Sequence, residues 1–143
     1  MKIGICSDVK SKNLKVVLRE YIESLGYDVE DYSNEESLEG YLNQIVNVSK
    51  DAVDKKLDRV IFLDAVGGKS FIISAKVKGM ITACVSDEHS ARMTRDHNGS
   101  LGIAIGSDLV GETLAKALVK IFIEKEFSAG RHMVRVDMLN KMC

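Results

Sequence analysis

Residues 2–31 read KIGICSDVKSKNLKVVLREYIESLGYDVED. The stretch opens with a short apolar run, Lys2–Ser7, of strand length. It continues with Asn13–Leu25, in which Leu14, Val17, Leu18, Tyr21, Ile22 and Leu25 recur at helical spacing and form one apolar face. Gly26 follows where a helix needs a left-handed C-terminal residue, and a second strand-like run, Tyr27–Asp31, begins at once. Strand, amphipathic helix and strand in about thirty residues is the unit that joins parallel strands by a right-handed crossover.

The same alternation runs to the end of the chain. Further strands are predicted at Arg59–Leu63, Met80–Val85 and Leu101–Ile105, and helices at Leu38–Lys55, Val110–Glu126 and from about Arg131 onward. Gly79 punctuates the approach to the fourth strand. Ser86, Asp87 and Glu88 have the character of a helix N-terminus, and Gly99 closes that helix. These elements predict one α/β domain over residues 1–143, a five-stranded parallel sheet with helices on both faces. In such a fold the loops that leave the strands gather at one edge, where ligands bind. Asp8, Asp64–Ser70, Ser86–Asp87 and Gly106–Ser107 all fall on that edge.

Composition narrows the function classes. Twenty Lys and Arg stand against 21 Asp and Glu, for a formal charge of -1, so no global field draws the chain to nucleic acid or anionic lipid. No apolar run approaches the roughly 20 residues of a membrane span. Three cysteines, Cys6, Cys84 and Cys143, lack metal-ligand spacing and fit reduced thiols in a cytoplasmic protein.

Three segments could carry chemistry. Leu63-Asp64-Ala65-Val66-Gly67-Gly68-Lys69-Ser70 is a strand end, a glycine turn and a helix start, suited to holding an anion or enediolate oxygen on backbone N–H groups. A nucleotide-binding loop is excluded by spacing, since Leu63 stands where its first glycine belongs. The default for the segment is a plain tight turn. His97-Asn98 ends a polar helix; it reads either as a histidine favouring the helix dipole or as a general acid/base with a neighbouring amide. Arg131 and Arg135 stand four apart, which in a helix places two guanidinium forks on one face. They read either as a solvated basic face or as a phosphate clamp.

Taken together, Lys78-Gly79-Met80, Val85-Ser86-Asp87-Glu88, Met93-Thr94-Arg95, His97-Asn98, Ile105-Gly106, Val110-Gly111 and the terminal run from Arg131-His132 to Met142 resemble the superfamily of ribose-5-phosphate isomerase B and galactose-6-phosphate isomerase. The resemblance covers nearly the whole chain and is strongest to the A subunits of the galactose enzymes. It implies a three-layer α/β/α Rossmann-like fold, dimers pairing into tetramers, and aldose–ketose isomerisation without metal or cofactor. Carried over by position, His97 opens the sugar ring and Asn98 binds the sugar or enediolate. Arg131 and Arg135 hold the phosphate, while Asp8, Gly67 and Gly68 contribute to substrate binding.

The departures from the family pattern are specific. Val9 stands where self-sufficient members have histidine, Asp64 where they have the cysteine base, and Ser70 where some relatives carry a glutamate base. The resemblance therefore implies half an enzyme, completed by a B-like subunit and acting on D-galactose 6-phosphate. The alternatives are a self-sufficient isomerase with Asp64 as the base, and a non-catalytic sugar-phosphate-binding subunit.

Overall fold

The computed structural model describes residues 1–33 and 38–142. The elements run β1 (Lys2–Ser7), α1 (Lys12–Ser24), β2 (Asp28–Asp31), α2 (Leu38–Val53), β3 (Arg59–Asp64), α3 (Gly68–Ser74), β4 (Thr82–Cys84), α4 (Glu88–Asn98), β5 (Gly102–Gly106), α5 (Glu112–Glu124), a 3-10 turn (Gly130–His132) and α6 (Met133–Lys141). All strand pairs are parallel, in the order β2-β1-β3-β5-β4. The three-layer α/β/α architecture read from the sequence is thus the observed one.

Strand periodicity builds the layers. Ile3, Ile5, Ile61, Leu63, Ile103 and Ile105 point to one face and are sealed by Leu18 and Ile22 of α1, Ala91 of α4, and Leu118 and Phe122 of α5. Cys6, Val60, Phe62 and Ala104 point to the other, beneath Tyr41, Ile45 and Val48 of α2. Phe62 sits between Cys6 and Ala104 in register, and its ring needs small neighbours. At Gly102 a Cβ would come within 2.8 Å of both Phe62 and Met80.

Several details differ from the sequence reading. The fourth strand covers only Thr82–Cys84, because it is an edge strand paired with β5 alone, although Met80 and Val85 flank it as buried core residues. Helix α2 stops at Val53 rather than Lys55. Lys55 has a φ of 61°, and the N–H groups of Lys55 and Lys56 donate back to Ala52 and Asp51, a left-handed closure usually given to glycine. In α5 the stripe facing the sheet is Ala115, Leu118, Val119, Phe122 and Ile123, whereas Leu114 is exposed. The apolar spacing in Val110–Glu126 predicts Leu114, Ala117, Leu118 and Ile121 as the stripe toward the sheet, with Phe122 and Ile123 widening it toward a neighbour; the observed stripe is rotated, and Phe122 and Ile123 belong to the interior. Cys143 lies outside the described residues.

Lys15, on the core-facing side of α1, is 7% exposed. Its Nζ lies 2.7 Å from Asp31 Oδ2 at the end of β2, which ties the first helix to the sheet edge. Burial pushes the Asp31 carboxyl up, but the hydrogen bonds from Lys15 and Ser33 outweigh it and hold the group below its ordinary value. This stabilisation is complete above the unfolded-state carboxylate pKa and is lost as pH falls through the lower folded value. Asp31→Asn leaves the Lys15 ammonium buried without a counter-ion. It is expected to cost roughly 3 kcal/mol, at the low end for a buried pair because Asp31 keeps some solvent contact. Urea denaturation at pH 7 measures the loss, and an unchanged midpoint would show that water replaces the carboxylate.

Candidate functional site

Asp64 ends β3 and is fully buried. Its Oδ1 accepts from the backbone N–H groups of Val66 (3.2 Å) and Gly67 (2.7 Å). Its Oδ2 accepts from Ser70 N–H (2.9 Å) and Ser70 Oγ (2.6 Å). The glycine loop is therefore wrapped around its own carboxylate, since a charge without water is tolerated only when hydrogen bonds surround it. Gly67 serves the wrap directly. It has a φ of 78°, and a Cβ there would lie 3.2 Å from Ala104 O, so the loop passes close over the end of β5. Gly106 makes the reciprocal allowance, with a Cβ position 2.9 Å from the Val66 backbone.

Around this loop lie the other residues of the strand-exit edge. Asp8 follows β1; its carboxylate accepts from Ser11 N–H (2.9 Å) and meets Lys69 Nζ at 3.4 Å. Lys69 also lies 5.5 Å above the ring of Tyr41, whose hydroxyl donates to Leu63 O. Ser11 and Ser107 hydroxyls are 2.8 Å apart, linking the loops after β1 and β5. The Cys84 thiol approaches Gly67 O at 3.2 Å; burial and then the Asp64 charge raise its pKa, which disfavours the thiolate. Val9, Val66 and Leu109 form an exposed apolar rim on this edge.

The second cluster forms where α4 ends. Asp87 caps the start of that helix by accepting from Ser90 N–H at 2.8 Å, and Gly99 closes it with a φ of 60°. His97 and Asn98 occupy its last turn. Arg135 Nη2 donates to His97 O (2.9 Å) and Asn98 Oδ1 (3.0 Å), so α6 is docked on the end of α4 by one guanidinium group. Arg131 is not in the same helix as Arg135: Ala129 and Gly130 both have positive φ, and the chain enters α6 through the 3-10 turn. The expected placing of both arginines on one face of a single α-helix is therefore not the observed arrangement. His132, to which the sequence reading assigned no role, stacks on His97 with ring centroids 4.3 Å apart and an interplanar angle of 15°.

Beneath this cluster Arg95 is buried. It donates to Ser100 O at 3.0 Å and Lys125 O at 3.3 Å, joining α4, β5 and the end of α5. Burial and then the neighbouring Arg59 lower its pKa to about 10.

The two clusters lie at opposite edges of the sheet. Asp64 is paired with Gly106 at the exit of β5, while Asn98 precedes the Gly102 end of that strand. Four residue steps of strand separate these levels by at least ~13 Å. The chain thus brings His97, Asn98, Arg131 and Arg135 to one edge, and Asp8, Asp64, Gly67 and Gly68 to the other. Lys69, Tyr41 and His132 were missed. Lys69 lies within the glycine segment quoted above and His132 beside Arg131, whereas no local signal pointed to Tyr41.

A family profile described as Ribose/Galactose Isomerase matches residues 3–139. The chain is 47% identical over 144 residues to galactose-6-phosphate isomerase subunit LacA of Staphylococcus epidermidis, covering all of both chains. It is 46% identical over 143 residues to the subunit of that name from Staphylococcus aureus, again over the full length of both. Among solved structures, ribose-5-phosphate isomerase B of Clostridium thermocellum superposes with a TM-score of 0.91 at 33% identity, covering 99% of this chain and 96% of that one. The chain belongs to the ribose/galactose isomerase family.

The Asp64 wrap makes a direct expectation. Asn at position 64 can accept at one terminal atom but presents an NH₂ to donors on the other. Asp64→Asn is expected to lower unfolding free energy by roughly 2–3 kcal/mol, the order of leaving a buried donor unpaired. Chemical denaturation checks it. A wild-type midpoint would mean that the loop does not depend on the carboxylate.

Proposed function

We propose that this member of the ribose/galactose isomerase family acts as one of two unlike subunits of an enzyme converting D-galactose 6-phosphate to D-tagatose 6-phosphate in the cytoplasm, with its single domain contributing the ring-opening and phosphate-binding edge. The observation that carries this reading is the separation of the two clusters. The ring oxygen of an aldose is bonded to C1, next to the carbon at which the isomerising proton moves. A ring-opening acid and a proton-transfer base must therefore act within a few ångströms of each other. Two groups at least ~13 Å apart on one chain meet that need only when a second chain brings its strand-exit edge to the His97 edge of the first.

In the proposed mechanism Arg131 and the free donors of Arg135 hold the phosphate, and His97 gives a proton to the ring oxygen as its bond to C1 breaks and the C1 hydroxyl loses its proton to solvent, leaving the open-chain aldehyde. Asn98 hydrogen-bonds the sugar, its orientation set by Arg135 and by its own bond to Thr94 Oγ1 at 3.4 Å. A base on the partner removes the proton from C2 as the electron pair moves onto O1, the proton of the 2-hydroxyl passes to O1 through the enediolate, and return of the base's proton to C1 re-forms the carbonyl at C2 and leaves the ketose. The partner is a B-like subunit with its own open glycine loop.

This chain's loop is a poor candidate for that second half. The N–H groups of Val66, Gly67 and Ser70 are committed to Asp64, and Asp64 itself has four donors and no exposure. Asp64 as base, and the chain as a self-sufficient isomerase, therefore draw no support from the geometry. Asp8 is held by Lys69 and Ser11, an arrangement that supports the same edge without presenting a free carboxylate.

Two outcomes are expected. The purified chain should not isomerise galactose 6-phosphate, and activity should appear on mixing with a family member that carries histidine at the position of Val9 and the cysteine base at the position of Asp64. A coupled assay for tagatose 6-phosphate decides, and turnover by the chain alone would refute the division of labour. In the complete enzyme, Arg135→Ala should raise KM for the phosphorylated sugar by roughly 10- to 150-fold, the equivalent of about 1.5–3 kcal/mol for a charge-assisted contact. An equal effect on an unphosphorylated sugar would refute the phosphate assignment.

A further inference from the structure

The His97–His132 stack is a titratable pair to which the proposed mechanism gives only one role. Two imidazoles lie nearly parallel at 4.3 Å, on the edge that also carries Arg131 and Arg135. From α4, His132 is faced by His97 and Asp96; from its own turn by Arg131; from α6 by Arg135. The acidic member is already engaged, since Asp96 Oδ2 meets Lys125 Nζ of the segment after α5 at 3.0 Å. A proton added to His132 therefore enters a site where the nearby charges are positive and the one carboxylate is shared. Partial burial, then His97 and the two arginines, lower its pKa.

We propose that His132 is the proton-linked positioning partner of His97: neutral in the empty site, it takes up one proton from solvent when a phosphate settles on Arg131 and Arg135. The inference rests on the phosphate reading above and deepens it. An oxyanion carrying two charges offsets both guanidinium groups and reverses the balance of charge around the ring, which favours the imidazolium. The cationic ring lying on His97 then repels a proton held there, the direction in which a ring-opening acid must release it. Binding of the phosphate end would in this way prepare the acid at the sugar end.

Sulfate is the suitable probe, because it carries two charges without titrating near neutrality. The chain has three histidines, His89, His97 and His132, so ring proton resonances can be assigned by single substitutions. NMR titration of the full chain should show His132 changing protonation at lower pH than an ordinary histidine, and moving up by about one pH unit or more in saturating sulfate. Calorimetry should show sulfate binding about 3-fold tighter at pH 6 than at pH 8, with the difference abolished in His132→Gln. Sulfate binding by calorimetry with the His132 titration unmoved would overturn the proton linkage and leave the phosphate site standing. No sulfate binding at either pH would overturn both.

Discussion

A carboxylate without access to water, held by four donors at the end of β3, sets the geometry of the strand-exit edge. Asp64 draws the N–H groups of Val66, Gly67 and Ser70 inward, and this places Gly67 against the end of β5. The backbone around it then continues the lattice. Ser107 N–H donates to Asp64 O and Asp108 N–H to Ala65 O, so the loops after β3 and β5 are laced together. A desolvated charge is costly, and it persists here because each carboxylate oxygen has two donors. Three backbone N–H groups of the glycine loop, those of Val66, Gly67 and Ser70, are thereby taken up by the protein's own carboxylate.

The opposite edge is organised by cations rather than by an anion. Arg95 is spent on structure, fastening α4 to the Ser100 and Lys125 carbonyls from within. Arg135 fastens α6 to the same helix from outside while using only Nη2, and it leaves further donors on its fork for another acceptor. Arg131 is exposed. The cluster is thus a positively charged surface with a rigid base, which suits an anion better than a neutral ligand. Family membership and this charge arrangement agree, although they are independent: one comes from likeness along the chain, the other from what stands next to what.

Two groups of exposed apolar residues follow the same division. Val9, Val66 and Leu109 ring the Asp64 loop, while Val134 and Met138 lie along α6 and Met142 follows its end. Among the described residues no helix is long and apolar enough to cross a membrane.

Much of this was legible in the order of residues. Alternating apolar runs and helical stripes determined the five parallel strands, the helices on both faces and the edge to which Asp8, Asp64 and Ser107 belong, because periodicity of 2 and of 3.6 is a property of the chain itself. The family motifs likewise picked out His97, Asn98, Arg131 and Arg135. Other features depended on contacts between distant segments. Lys15 reads as a polar helix residue until Asp31 of β2 meets it, and the α5 stripe was misplaced by a fraction of a turn, because which arc of a broad apolar helix faces inward is decided by the sheet beneath. The four donors around the Asp64 carboxylate became visible only with the loop folded about it. His132 gained a partner only when the turn at Ala129–Gly130 laid it on His97, and the two candidate clusters were recognised as opposite edges only once β5 stood between them. Local pattern determines elements and their faces; tertiary structure alone decided which charges were left free, since that depends on donors and acceptors supplied from elsewhere in the chain.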